Sequence, residues 1–536
     1  IGVAADYDAG TISFYKNNVL VISTTATNTS SSGDWLPGFT APSNGSIQVN
    51  LGRFPFSYDP PSGYSGLSSA KYAEPSILKS ESQFFTLVST GTGAARDVTG
   101  LDFQPTLITS HAVQTKGIYS PASFNPIYED NLIFTSPIMD AAIPAQYLSP
   151  GGYPRRSQPG APNAMQYSFI PPGLGPSFPA DSDNAGIVTF NSDGYTLGAN
   201  LDGAFNEYTN RNYTQYSWKD PQVTPVVIDG GPGLTDLTTT NTLNSQAGIS
   251  YATWAGNSEA FGNIRIPHNL GAAPDAVIYG CVGEDQINYT EGGDFYVVHK
   301  DRYSNIAGRE SELQQSRLGS RAQDLPGNLL WQYGYVYGMD DSYVYGRRGV
   351  NNTVEHINRL YKNYWAMCIK SVPGFSKVST FVGSSNGTRQ DPLGGNYVHC
   401  GFKPAWILIT GWDTVSTNVD PSGEPQREYL SSEWLFVDVL AAGKNPALQA
   451  VDMYLMGTNP MGDATNYSTS DTGGKRGALI VTSASGFTLC TRQLASSSGY
   501  RSLNVMGINY HYIAFAQAPS KYVANGLMRR PSEYIT

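Results

Sequence analysis

Six histidines, four cysteines and two tight carboxylate clusters are the residues best suited to catalysis or metal binding in this chain. The histidines, His111, His268, His299, His356, His399 and His511, are scattered. None stands in a His-Glu-x-x-His or comparable spacing, which would set two ring nitrogens on one side of an element. His399 and His511 fall inside predicted strands, where a hydrogen-bonded core histidine is the expected role. Cys281, Cys368, Cys400 and Cys490 form no Cys-x-x-Cys pair, so neither a zinc site nor a dense disulfide scaffold is indicated. They read as small buried hydrophobes, with one or two disulfides compatible. Asp181-Ser182-Asp183-Asn184 and Asp340-Asp341 offer the hard oxygens calcium prefers, but neither continues into a full calcium loop, and solvated turns are expected. Gly91-Thr92-Gly93 begins a dinucleotide-like string, yet Arg96 replaces the last glycine and no βαβ pattern surrounds it. No Gly-x-Ser-x-Gly elbow is read, so a serine hydrolase is not expected, and the acidic residues point to no particular pair for glycoside hydrolysis. No catalytic, cofactor-binding or metal-ligating residue is assigned, and the expectation is a non-enzyme without cofactor.

Aromatic residues make a different case, for contact with glycans. Sugars stack on flat rings and hydrogen-bond to Asn, Asp and Gln. The turn-rich stretches Trp331–Tyr345 and Trp412-Asp413 supply both, although packing between strands is the commoner use of such rings.

The elements that would position these residues are short strands. Charged residues are only 14%, while Gly (57) and Tyr (35) are abundant among Ser, Thr and Asn. That mixture suits strands joined by tight turns and suits long helices poorly. The net charge of −10 comes without any basic run, so a nucleic-acid backbone is not an expected partner. The pairs Arg155-Arg156, Arg347-Arg348 and Arg529-Arg530 read as solvated surface. No run of 18 apolar residues predicts a membrane-inserted helix. At 536 residues, several domains are expected.

The first 75 residues are expected to form strands over Ile1–Tyr7, Thr11–Tyr15 and Ser46–Leu51, with turns at Asp8-Ala9-Gly10 and Lys16-Asn17-Asn18. The stretches IGVAADYDAGTISFYKNN and LGRFPFSYDPPSGY, with Leu67 beyond, resemble the C-terminal half of an SPRY domain, a recognition β-sandwich without catalysis of its own. The resemblance covers about half of that family's length, so the rest is expected upstream of Ile1, within a longer gene product.

Beyond residue 75 three landmarks recur in order. A proline-entered strand appears at Phe103–Ile108, Ala273–Ile278 and Phe402–Ile409. A strand–turn–strand appears at Gly186–Leu197 and Ala478–Leu489, with a looser counterpart at Tyr335–Tyr345. A closing strand beginning Asn-Tyr appears at Asn212–Trp218, Asn363–Ile369 and Asn509–Phe515. Apolar residues occupy both faces of that closing strand, as a strand buried between two layers requires. Proline at a strand's start costs no ladder bond, and glycine at the hairpin supplies positive φ. The segments Tyr364–Lys377, Phe381–Gly387, Val398–Ala405 and Tyr512–Gln517 together resemble a repeat module of tailed-phage virion proteins, often found beside SPRY or lectin-like units.

The expected organisation is therefore all-β: tandem antiparallel β-sandwich (jelly-roll or lectin-like) domains after a partial SPRY-like sandwich. Residues 1–75 form the SPRY-like half, 76–222 the first repeat, 223–373 the second, 374–519 the third, and 520–536 a C-terminal tail. The segment Pro144–Pro179, with nine prolines, is an insertion that cannot be helix or central strand. Gly308–Ala322 is the one helix candidate. The resemblance implies a structural protein of a tailed-bacteriophage virion, a tail fibre or surface appendage involved in host attachment. Its expected location is the particle surface, and its expected partners are other virion proteins and copies of itself in a homotrimer. Host surface glycan is a further candidate partner. A glycan-binding receptor-recognition protein or secreted lectin-like adhesin is the second reading, and a polysaccharide depolymerase the third.

Overall fold

In the computed structural model the chain is built of antiparallel strands, and the short 3-10 turn Ser80–Ser82 is the one helical element among the described residues. The structure describes residues 1–6, 9–25, 47–51, 55–64, 66, 75–113, 132–136, 165–168, 187–197, 212–219, 223–228, 237–256, 263–281, 295–303, 311–317, 335–347, 357–358, 363–384, 395–412, 434–439, 455–456, 479–490, 504 and 506–519. The all-β, sandwich-type fold read from composition and periodicity is the one observed.

The N-terminal sheet is a meander of Gly2–Asp6, Thr11–Lys16 and Val19–Thr25. Asn17 (φ 51°) and Asn18 (φ 66°) both take the left-handed conformation that a two-residue hairpin turn demands. This corrects the expected third strand: Ile47–Asn50 are irregular, and the third place belongs to Val19–Thr25. The tight asparagine turn sends the chain straight back, and the apolar, β-branched run after it completes the ladder. Val3, Val19, Val21 and Ile22 of this meander are more than half exposed.

Three further sheet pairs share one plan. In the first, a five-stranded sheet runs in the order Phe84–Thr90, Asn212–Lys219, Pro105–Val113, Leu132–Ser136, Met165–Ser168. It accompanies a three-stranded sheet of Arg96–Val98, Gly194–Leu197 and Ile187–Asn191. The third pair repeats this with Ser376–Val382, Asn509–Pro519, Phe402–Trp412, Leu435–Asp438 and Leu455–Met456, beside Asn396–His399, Gly486–Cys490 and Leu479–Ser483. In the middle pair the equivalent order is Ile249–Ala255, Asn363–Ile369, Ala276–Cys281, Phe295–Tyr303 and Leu313–Arg317. Val223–Ile228 and Leu237–Asn244 extend it to seven strands, and the small sheet holds Asn263–Pro267, Tyr343–Arg347 and Tyr335–Met339. In all three, the strand beginning Asn-Tyr lies between the opening strand and the proline-entered strand.

The alternation of that closing strand explains its place. Tyr364, Ala366 and Cys368 pack toward the small sheet, while Trp365, Met367 and Ile369 point the other way. Tyr510, Tyr512 and Ala514 against Ile513 and Phe515 repeat the arrangement. In the first pair Tyr216 and Trp218 point away from the small sheet, and Gln215 points toward it, accepting a hydrogen bond of 2.7 Å from the Tyr195 hydroxyl. A period-two strand with apolar residues on both faces must be covered twice.

The second cover comes from the other pairs. One cluster joins Phe84, Tyr216 and Trp218 with Ile249, Ile278 and Trp365 and with Trp406, Trp434 and Phe515, so the three large sheets meet in a single core. Trp218 lies edge-on to Trp406 at 5.7 Å and to Phe515 at 5.6 Å. Polar contacts seal the seams. Asn244 donates to Gln83 Oε1 at 2.8 Å between the first and middle pairs, and His511 meets the Asp301 carbonyl at 3.3 Å between the third and middle ones. Because this shared cluster is larger than the core of any one pair among the described residues, the pairs are not beads on a string.

Three local expectations need correction or a different cause. The helix expected within Gly308–Ala322 is instead an edge strand over Leu313–Arg317, paired with Phe295–Tyr303. Pairing to an open sheet edge overrides the weak helical propensity of a polar segment. Within Pro144–Pro179 the described part, Met165–Ser168, is also an edge strand, where proline-rich flanks do no harm to a ladder; the rest lies outside the described residues. At Gly486 the expected reason for glycine, positive φ, does not hold. A Cβ there would stand 2.0 Å from the Val398 carbonyl oxygen, and at Gly194 (φ 156°) it would stand 1.9 Å from that of Val98. Glycine lets the hairpin strand close against its neighbour.

Candidate functional site

The small sheet of the middle pair turns Ile264, Ile266, Val336 and Val344 inward, and strand alternation therefore turns Arg265, Tyr343, Tyr345 and Arg347 outward. A bulge between Val336 and Gly338 leaves Tyr337 without a ladder partner and aims its ring onto the same face. The result is a row. Arg265 lies over the Tyr343 ring at 5.0 Å, and Tyr343 and Tyr345 are 6.2 Å apart. Tyr345 and Tyr337 are 6.0 Å apart, and Arg347 lies over Tyr337 at 4.8 Å. All three rings are half-buried, so each keeps some surface open to solvent.

Carboxylates hold the row in place. Asp340 accepts from the backbone amides of Ser342 at 2.8 Å and Tyr343 at 2.7 Å, and also from the Tyr345 hydroxyl. Partial burial works against its charge, but these hydrogen bonds outweigh it and keep the carboxyl below the usual range. The same hydrogen bond, with some burial, pushes the Tyr345 hydroxyl up to about 12, so the ring is neutral in ordinary buffers. At the other end Glu312 accepts from Arg347 at 2.9 Å and from the Tyr335 hydroxyl at 2.6 Å. Two guanidiniums and two carboxylates thus stand on one aromatic face. The corresponding faces elsewhere differ. The first pair carries a polar chain from Thr189 through Asn191 and Thr196 to Asp97, and the third carries Tyr397 beside His399 and Ser485.

The other residues singled out from sequence separate widely. His268 is buried and bonded to the Asp340 carbonyl at 2.9 Å; its depressed proton affinity follows from burial. His299 and His511 come together, ring centres 4.9 Å apart, at the seam between the middle and third pairs. Burial first, then His511 and the nearby Lys300 and Arg302, lower His299 to about 3; burial and Arg302 lower His511 to about 4. His399 lies on the third small sheet, and Lys377 donates to its carbonyl at 2.7 Å. Cys368 and Cys400 are buried free thiols, both pushed up to about 12 by burial. Asp340-Asp341 is a turn: Asp341 accepts from the Ala273 amide at 3.2 Å. Gly91-Thr92-Gly93 is a loop, with the Thr92 hydroxyl donating to the Ala94 carbonyl. Among the described residues no group of three His, Cys, Asp or Glu is placed to hold a metal ion. His356, Asp181–Asp183, Trp331 and the Trp412 side chain lie outside the described residues, as does the side chain of His111.

One motif was missed in reading the sequence: Gly383-Ser384-Ser385-Asn386-Gly387 does spell Gly-x-Ser-x-Gly. A nucleophile elbow sits between a strand and a helix. Here Gly383 continues the ladder beside Ile508 and Gly507, and the Ser384 amide donates to Asn504. Ser385 itself is outside the described residues. The row of tyrosines was partly legible as the aromatic stretch ending at Tyr345, but Arg265 and Glu312 arrive from distant strands and carried no local signal.

A family model described as a domain of unknown function (DUF7483) matches residues 178–420, a span that contains the whole tyrosine row. No curated protein matches the chain. Among solved structures, one described as the crystal structure of the STIV MCP aligns at 10% identity. It covers 54% of this chain and 96% of that one with a TM-score of 0.15, a likeness too slight to bear on fold or function.

Proposed function

We propose that this chain is a non-catalytic structural protein of a tailed-phage virion, a tail fibre or surface appendage engaged in host attachment. The observation that carries the reading is the threefold use of one sheet pair, fused face to face in a single core. A single core shared by all three large sheets suits a particle-borne scaffold better than an enzyme whose parts must open and close. The resemblance of residues 365–519 to virion repeat modules, and of residues 1–75 to an SPRY half, supplies the phage context. The domain limits at 75, 222, 373 and 519 belong to the same proposal.

Fibre analogy makes a homotrimer the expected assembly. Among the described residues the large-sheet faces are already covered within one chain, so self-association has to use other surfaces. Competition tests the role: purified chain added to host cells is expected to reduce adsorption of the phage in a dose-dependent way. Adsorption unchanged at saturating protein would contradict attachment.

The half-buried tyrosine row on the outer face of the middle small sheet specifically favours the second reading, in which the chain itself recognises a host glycan rather than only spacing another tip.

A further inference from the structure

We propose that the row Tyr343–Tyr345–Tyr337, with Arg265 and Arg347 at its ends, is a carbohydrate-binding site for an uncharged oligosaccharide of hexose or N-acetylhexosamine units. The proposal rests on the attachment reading and gives it a site and a ligand class. Tyr343, Tyr345 and Tyr337 stand side by side with neighbouring rings tilted by 57° and 41°, a stepped row longer than one sugar, and the C–H face of a pyranose stacks on such rings as other apolar groups do. Around them stand the groups a sugar's hydroxyls need. The guanidiniums of Arg265 and Arg347 donate, the Tyr345 hydroxyl, whose hydrogen is held by Asp340, accepts, and the Asp340 carboxylate accepts as well.

Charge selects among glycans. Arg347 is paired with Glu312, and Asp340 sits at the far end of Tyr345. The two cations are therefore balanced locally by two anions, and a phosphate or uronate would meet a carboxylate on the same face. A neutral chain meets no such repulsion. The site is also set before any ligand arrives. Asp340 fixes the turn through two amides, the bulge fixes Tyr337, and Glu312 ties Tyr335 and Arg347 together. Little side-chain freedom remains to be lost on binding. Among the described residues neither of the other small sheets repeats the row.

The test is a printed array of neutral and acidic oligosaccharides, followed by titration calorimetry with the best neutral binder. Wild-type chain is expected to bind neutral members. Tyr343→Ala is expected to weaken binding at least about tenfold, the scale of an anchoring aromatic. Tyr345→Phe, which keeps the ring and drops only the Asp340 bond, is expected to stay within a few-fold. Should Tyr343→Ala lose its melting transition, Arg265→Gln takes its place with the same expected direction. A blank array, binding confined to acidic members, or affinity unmoved by the substitutions overturns the site. The adsorption competition separates the two failures. Wild-type chain that still blocks adsorption beside a blank array removes this site and leaves attachment standing, whereas loss of both removes attachment as well.

Discussion

Trp218 shows what the shared core asks of single residues. It is 1% exposed and wedged between Trp406 and Phe515, and its indole N–H has no hydrogen-bond partner. Leaving a buried donor unmet is costly, while removing it with most of the ring kept is cheap. Trp218→Phe is therefore expected to lie within about 1 kcal/mol of wild type in urea unfolding, and Trp218→Ala to cost about 3–5 kcal/mol. The histidine pair gives a second residue-scale expectation. Both His299 and His511 have folded-state proton affinities below the unfolded value, so the unfolded chain binds more protons as pH falls. Stability is full above about pH 6.5 and declines as pH drops toward 4 and 3, by roughly 2 kcal/mol per histidine at pH 5. Lys300, Arg302 and Asp301 surround the pair, and Trp434 stacks on His299. Calorimetric melting between pH 7 and 5 checks the slope, and His511→Gln, which retains a donor without titrating, is expected to flatten it.

Among elements, the hairpins of the small sheets depend on backbone approach more than on turn conformation. Gly486 has no positive φ, yet any Cβ would overlap the Val398 carbonyl. Gly486→Ala is expected to destabilise the chain by about 1–3 kcal/mol or more, read as a lowered denaturation midpoint. A midpoint equal to that of wild type would refute this close strand contact. The closing strands were legible in sequence because Asn-Tyr opens each one and apolar residues run on both faces, a pattern that only a doubly covered strand satisfies. What covers the second face was not legible. Trp365 and Phe515 signal burial, but the identity of their partners is set by how sheets far apart in sequence dock. The same limit explains the segment around Leu313. Its polar composition looked helical in isolation, and only the open edge beside Phe295–Tyr303 makes it a strand. Half of the tyrosine row could be read locally, and the half brought by Arg265 and Glu312 could not.

At the scale of the whole molecule, a core drawn from all three large sheets predicts joint unfolding. Fluorescence of the buried tryptophans and far-ultraviolet circular dichroism are expected to trace one coincident transition for the three sheet pairs. Separate transitions would mean that the seams contribute little. The proposal that the chain stands on a virion surface rests on this shared core. Immunogold labelling of intact particles, with antibody raised against residues 76–519, tests that placement most directly. Gold confined to a tail appendage is the expected result, and particles that stay unlabelled while the protein is found only free in the lysate would contradict it.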